Sequence, residues 1–68
     1  MKPEELFGVN AGKVWNVLNK SNEPISITKI MKLGNLKKDD TLGGLGWLGR
    51  EGKIEIIKKD KDLLFKLV

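Results

Sequence analysis

The chain has no cysteine, no histidine and no tyrosine, and only two prolines among its 68 residues. Without thiols it can form neither disulfides nor thiolate metal sites. Without imidazole, zinc binding and histidine-based acid–base or nucleophilic catalysis are excluded as well. No apolar run approaches the roughly 20 residues that a membrane-spanning helix needs, and no signal-peptide pattern opens the chain. Its many glycines do not form a phosphate cradle between a strand and a helix, because they fall inside a helical stretch. These absences lead to the expectation of a soluble, cytoplasmic protein that is not an enzyme. No cofactor, metal, membrane or small-molecule ligand is expected.

What is present is a short, lysine-rich chain of one domain's length. A single core rarely divides below about 100 residues. A domain this small buries a modest share of its surface, so apolar burial against a second copy is a natural supplement, and a homodimer is expected. The formal net charge is +4, and its distribution is uneven. Residues 1–24 carry three lysines and three glutamates and are neutral, whereas 25–52 and 53–68 each carry five basic and three acidic groups. A basic excess attracts polyanions through the long-range field and counterion release. The competing reading is an ordinary solvated lysine surface.

The spacing predicts three helices, a short strand and a terminal hairpin. Phe7, Ala11, Val14 and Leu18 recur at the helical period, flanked by Trp15 and Val17. Trp15, beside that stripe, is read as a core residue. Gly8 and Asn10 weaken the first turns, and Asn10 offers an alternative cap for a shorter helix beginning at Ala11. Asn19 to Pro24 is turn chemistry. Ile25-Ser26-Ile27 alternates like a short edge strand, and Ser26 or Thr28 can cap a second helix over about 27–33. Gly34 and Asn35 suit a left-handed stop. Lys37-Lys38-Asp39-Asp40 opens a third helix, with Asp39 expected as its cap, Thr41, Leu45 and Leu48 turned inward, and Gly52 as its stop. Four glycines inside that helix (Gly43, Gly44, Gly46 and Gly49) each cost about 1 kcal/mol against alanine. Tertiary packing must hold such a helix, and its glycine face allows another backbone to come very close. Lys53 to Val68 reads as a β-hairpin, in which Ile54 and Ile56 alternate with Glu55, and Leu63, Phe65 and Leu67 with Leu64, Lys66 and Val68, with Lys58 to Asp62 expected as the loop tip. Ile57, Leu64 and Val68 fall on the face opposite the core-facing set.

This order describes an α+β winged helix-turn-helix: three helices, a short strand and a C-terminal β-hairpin wing, one domain over residues 1–68 with residues 1–3 expected to be flexible. Leu36, Leu45, Leu48, Gly52 and Ile54 have the spacing seen in many bacterial and archaeal regulators. More narrowly, Ala11-Gly12-Lys13-Val14-Trp15-Asn16-Val17-Leu18 and Leu45-Gly46-Trp47-Leu48-Gly49-Arg50-Glu51-Gly52-Lys53-Ile54 resemble a small family of stand-alone winged-helix proteins of bacteria and archaea whose function is unknown. The resemblance covers nearly the whole chain and implies binding to double-stranded DNA, with transcriptional regulation as the default role. Function, however, resides in the site and not in the fold.

In DNA-reading relatives the exposed half of the third helix carries basic and amide side chains. Here the corresponding positions hold Asp39, Asp40, Leu42, Gly43 and Gly46, none of which can make a bidentate contact to a base. The expected DNA contacts are therefore phosphate contacts from Lys37 and Lys38 at the helix start, Arg50 near its end, and Lys58, Lys59 and Lys61 on the wing. Such contacts position a protein without specifying a sequence. The alternative is a protein-interaction module that uses Leu42, Gly43, Gly46 and Trp47 as a close-contact patch. Trp47 can either pack beneath the wing or line that patch.

Overall fold

The computed structural model describes residues 1–68. A π-helical turn, Glu4–Gly8, leads directly into α1 (Val9–Lys20). The chain continues through β1 (Ile25–Ser26), α2 (Ile27–Gly34), α3 (Lys38–Arg50), β2 (Ile54–Lys59) and β3 (Asp62–Leu67). No helix is long and apolar enough to cross a membrane. Gly8 and Asn10 do not interrupt the first helix: Gly8 has helical dihedrals, and Asn10 is buried within α1 and caps nothing. Its amide Nδ2 instead donates to Asp40 Oδ1 on α3 at 3.3 Å.

Local chemistry sets the helix ends. Ser26 Oγ accepts the N–H of Lys29 at 3.2 Å and so caps α2. Asn35, at φ 52°, takes the left-handed position, and Leu36 N–H returns to Met31 O at 2.9 Å, closing α2. Gly52 plays the same part after α3 at φ 70°, with Lys53 N–H returning to Leu48 O at 2.9 Å. The α3 start departs from expectation. Lys37 is extended and occupies the cap position, so Asp39 falls two positions too far inside to act as the cap. Asp39 and Asp40 stand in the first turn, where negative charge meets the positive end of the helix dipole. Thr41 Oγ1 donates back to Lys37 O at 2.9 Å, so this buried hydroxyl is satisfied within its own helix.

The core gathers Ala11, Val14, Val17 and Leu18 of α1 with Ile25, Ile30, Leu45, Leu48 and Phe65. Fully burying an aliphatic side chain of this kind contributes about 1.5–3 kcal/mol. Trp15 does not join this cluster: it is 38% exposed. Phe7, expected on the core stripe, is 39% exposed and lies over Gly43. The reason is the close approach of α1 and α3. A β-carbon at Gly44 would stand 2.8 Å from the backbone oxygen of Asn10, so α3 meets α1 backbone to backbone. Little space remains between the helices for a large ring on their outer margin.

The three strands form one antiparallel sheet in the order β1-β3-β2. Ile25 pairs with Phe65, which ties the short strand into the core. In the hairpin, Ile54 opposes Leu67, Ile56 opposes Phe65 and Ile57 opposes Leu64. The wing loop is tighter than expected. Lys59 pairs directly with Asp62, which leaves a two-residue turn, Asp60-Lys61, with Asp60 at φ 56°. Asp is among the few residues that tolerate that region. Lys58 and Lys59 therefore belong to β2, and strand alternation sends their side chains to opposite faces.

Candidate nucleic-acid interface

Alpha-helical geometry sorts the residues of α3 into faces. Thr41, Gly44, Leu45 and Leu48 are buried. Asp40, Gly43 and Trp47 turn toward the first helix: Asp40 accepts from Asn10, Gly43 lies under Phe7, and Trp47 packs against the core. Trp47 and Trp15 line one shallow groove between α1 and α3, together with Gly8, Gly12 and Glu51. The face left to solvent holds Lys38, Asp39, Leu42, Gly46, Gly49 and Arg50.

This arrangement separates residues that the sequence groups together. Of the four residues expected in a protein-contact patch, Leu42 and Gly46 share the outward ridge. A β-carbon at Gly46 would meet nothing within 4 Å, and Leu42 is 44% exposed. Gly43 and Trp47 form the neighbouring ridge, half-buried toward α1. The groove-facing set likewise loses Asp40 and Gly43 to contacts within the chain. Only one carboxylate, Asp39, remains free on the outward face, so like-charge opposition to a phosphate backbone is weaker than the aspartate pair suggests.

The basic groups are all on the surface. Lys37 and Lys38 stand at the start of α3 and Arg50 at its last turn, while Lys58, Lys59 and Lys61 occupy the distal wing. None of the six is in an ion pair; the molecule's one ion pair joins Lys53 Nζ to Glu51 Oε1 at 3.6 Å. Cations without intramolecular partners keep their full charge available to an external polyanion. The tertiary structure adds a neighbourhood that sequence reasoning missed. The wing returns to the start of α2, where Lys61, Asp62 and Leu63 share a surface hollow with Ser26, Ile27 and Thr28. Thr28 and the start of α2 thus share this hollow with the wing-tip Lys61. The only local signal was Ser26 as a helix cap, which says nothing about a wing more than thirty residues away.

Known proteins share this architecture. The family model described as "Winged helix-turn-helix domain (DUF2582)" matches residues 1–67. The uncharacterized protein MJ1608 of Methanocaldococcus jannaschii is 34% identical over 62 residues, which is 90% of this chain and 89% of that protein. Protein BT2368 of Bacteroides thetaiotaomicron, solved by solution NMR, superposes with a TM-score of 0.87 at 35% identity, covering 97% of this chain and 79% of that one. The helix order, the α2–α3 turn, the hairpin and these likenesses agree, and the chain belongs to the DUF2582 family of winged helix-turn-helix domains.

Proposed function

We propose that this protein binds double-stranded DNA as a winged-helix transcriptional regulator whose contacts are dominated by the phosphate backbone. The observation that carries the reading is the set of six exposed cations, Lys37, Lys38, Arg50, Lys58, Lys59 and Lys61, none engaged in an ion pair. They flank an outward α3 face whose Leu42, Gly46 and Gly49 offer no hydrogen-bonding side chain to a base edge. The binding this chemistry supports is electrostatic, tolerant of sequence and strongly salt-dependent. If all six cations meet phosphates, log Kobs falls against log salt with a slope of about −5.

The test is an NMR titration with generic duplex at low salt, read residue by residue. Amide shifts confined to the α3 start, Arg50 and residues 58–61, and lost as salt rises, support the reading. Unchanged spectra at low salt reject it.

The bare outward ridge favours a second reading, in which Leu42 and Gly46 meet a protein partner with Trp47 at the margin. Leu42→Lys leaves the core untouched, so it should abolish such binding without unfolding the chain. Trp47→Ala also removes packing against the core and is the poorer probe.

A further inference from the structure

The outer edge of β2 is unpaired along its six residues, because the sheet order is β1-β3-β2. Val68 N–H donates to Lys53 O at 3.0 Å, and Lys59 pairs with Asp62 across the tight turn. In an antiparallel ladder the bonded residues alternate. Residues 53, 55, 57 and 59 therefore direct their backbone groups to β3, while Ile54, Ile56 and Lys58 direct theirs outward. On the sheet face opposite the core, the register lines up three cross-strand rows: Glu55 with Lys66, Ile57 with Leu64, and Lys59 with Asp62. None of these four charged groups is in an ion pair within the chain.

We infer that this edge is a homodimer interface, in which β2 of one copy pairs antiparallel with β2 of a second about a two-fold axis at Ile57. A two-fold perpendicular to the sheet keeps each face continuous, so only residues of like parity can oppose one another. The register centred on Ile57 sets Glu55 opposite Lys59 of the second copy, twice by symmetry. Each charged row then alternates in sign across four strands: Lys66, Glu55, then Lys59 and Asp62 of the other copy. Between the two charged rows, Ile57 meets its own copy, with Leu64 of each chain behind it, in one apolar row. On the other face, Ile56 is 57% exposed and comes to lie against the aliphatic stem of Lys58 from the second copy. The outward backbone groups of Ile56 and Lys58 bond across the axis.

Neighbouring registers are poorer. Centring on Ile56 sets Glu55 against Ile57, and centring on Lys58 sets lysine against lysine. Directly opposed unlike charges stabilise a strand pair and like charges destabilise it, which selects one register. Lysines on an edge strand ordinarily discourage pairing; here Lys59 has a glutamate waiting opposite. The pairing stands apart from DNA contact, with which it shares only the wing lysines Lys58 and Lys59.

Charge exchange tests the interface on the full chain. Glu55→Lys alone and Lys59→Glu alone each place like charges opposite one another in both outer rows. Each should weaken dimerisation about tenfold or more by sedimentation equilibrium, and the double exchange should restore it. Glu55 and Lys59 are exposed, and a circular-dichroism melt of each variant checks that the like-charge pairs it makes with Lys66 or Asp62 inside the hairpin leave the wing folded. In parallel, the amides of Ile56 and Lys58 should gain protection from hydrogen exchange as chain concentration rises from micromolar to millimolar. A monomeric mass across that range, a dimer indifferent to both single exchanges, or freely exchanging Ile56 and Lys58 amides at every concentration would each overturn the assignment.

Discussion

Gly44 of α3 lies so close to Asn10 of α1 that a β-carbon there would sit 2.8 Å from the Asn10 carbonyl oxygen and 2.9 Å from a Val14 methyl. Two helices can approach this closely only where one of them lacks a side chain. The glycines of α3 are therefore not equivalent. Gly44 is required by packing, whereas Gly46 faces open space.

This difference predicts opposite signs for one chemical change. Gly44→Ala forces α1 and α3 apart and should cost about 1–3 kcal/mol net of any gain in helix propensity. Gly46→Ala meets nothing and should stabilise by about 0.5–1 kcal/mol through propensity and a less flexible unfolded chain. Urea unfolding of the two variants decides the matter. Equal effects would mean that the close crossing is absent in solution.

Gly52 links the end of α3 to the wing at φ 70° with open space around it. An alanine there clashes with nothing but must hold a left-handed backbone, at a cost of about 1–2 kcal/mol. Calorimetry should show a lowered Tm with the wing still formed. An unchanged Tm would show that the helix stop is made another way.

The Asn10–Asp40 hydrogen bond, 3.3 Å long and partly buried, is the one side-chain bond between α1 and α3. In a double-mutant cycle with Asn10→Ala and Asp40→Ala, the coupling energy should be about 0.5–1.5 kcal/mol. A coupling indistinguishable from zero would leave the glycine contact alone to set the crossing.

On DNA, Lys37→Gln and Lys61→Gln should each flatten the salt dependence by about one unit of slope and weaken binding equally across duplex sequences. Fluorescence anisotropy at several salt concentrations measures both. Discrimination between sequences that changes with either variant would mean a base contact in place of a phosphate contact.

Much of the fold could be read directly from residue order. Ser26 as a cap, the Asn35 and Gly52 stops, the inward line Thr41-Leu45-Leu48 and the strand alternation after Lys53 are short-range patterns, and each is found where expected. The expected α3 cap, Asp39, differs from the observed one because Asp is a common capping residue, and nothing local shows that the helix begins two residues earlier, at Lys38. The wing tip is shorter than its run of charged residues suggests, because charge looks like a turn signal. The pairing of Lys59 with Asp62 depends on the whole register of the hairpin.

The candidate surfaces depended on contacts between elements that are distant in sequence. The residue order determined that the α3 face would carry glycines and a leucine in place of base-reading side chains, and that lysines would cluster on either side. It also determined that four glycines would need packing to keep α3 helical. Only the tertiary structure decided which glycine meets a backbone, because helix–helix distance is set jointly by Asn10, Val14 and Gly44 on two elements. The same packing turned Asp40, Gly43 and Trp47 toward α1, left Leu42 and Gly46 outward, and brought Lys61 to the start of α2. Periodicity along a chain specifies a face, but what that face meets is set by the elements folded against it.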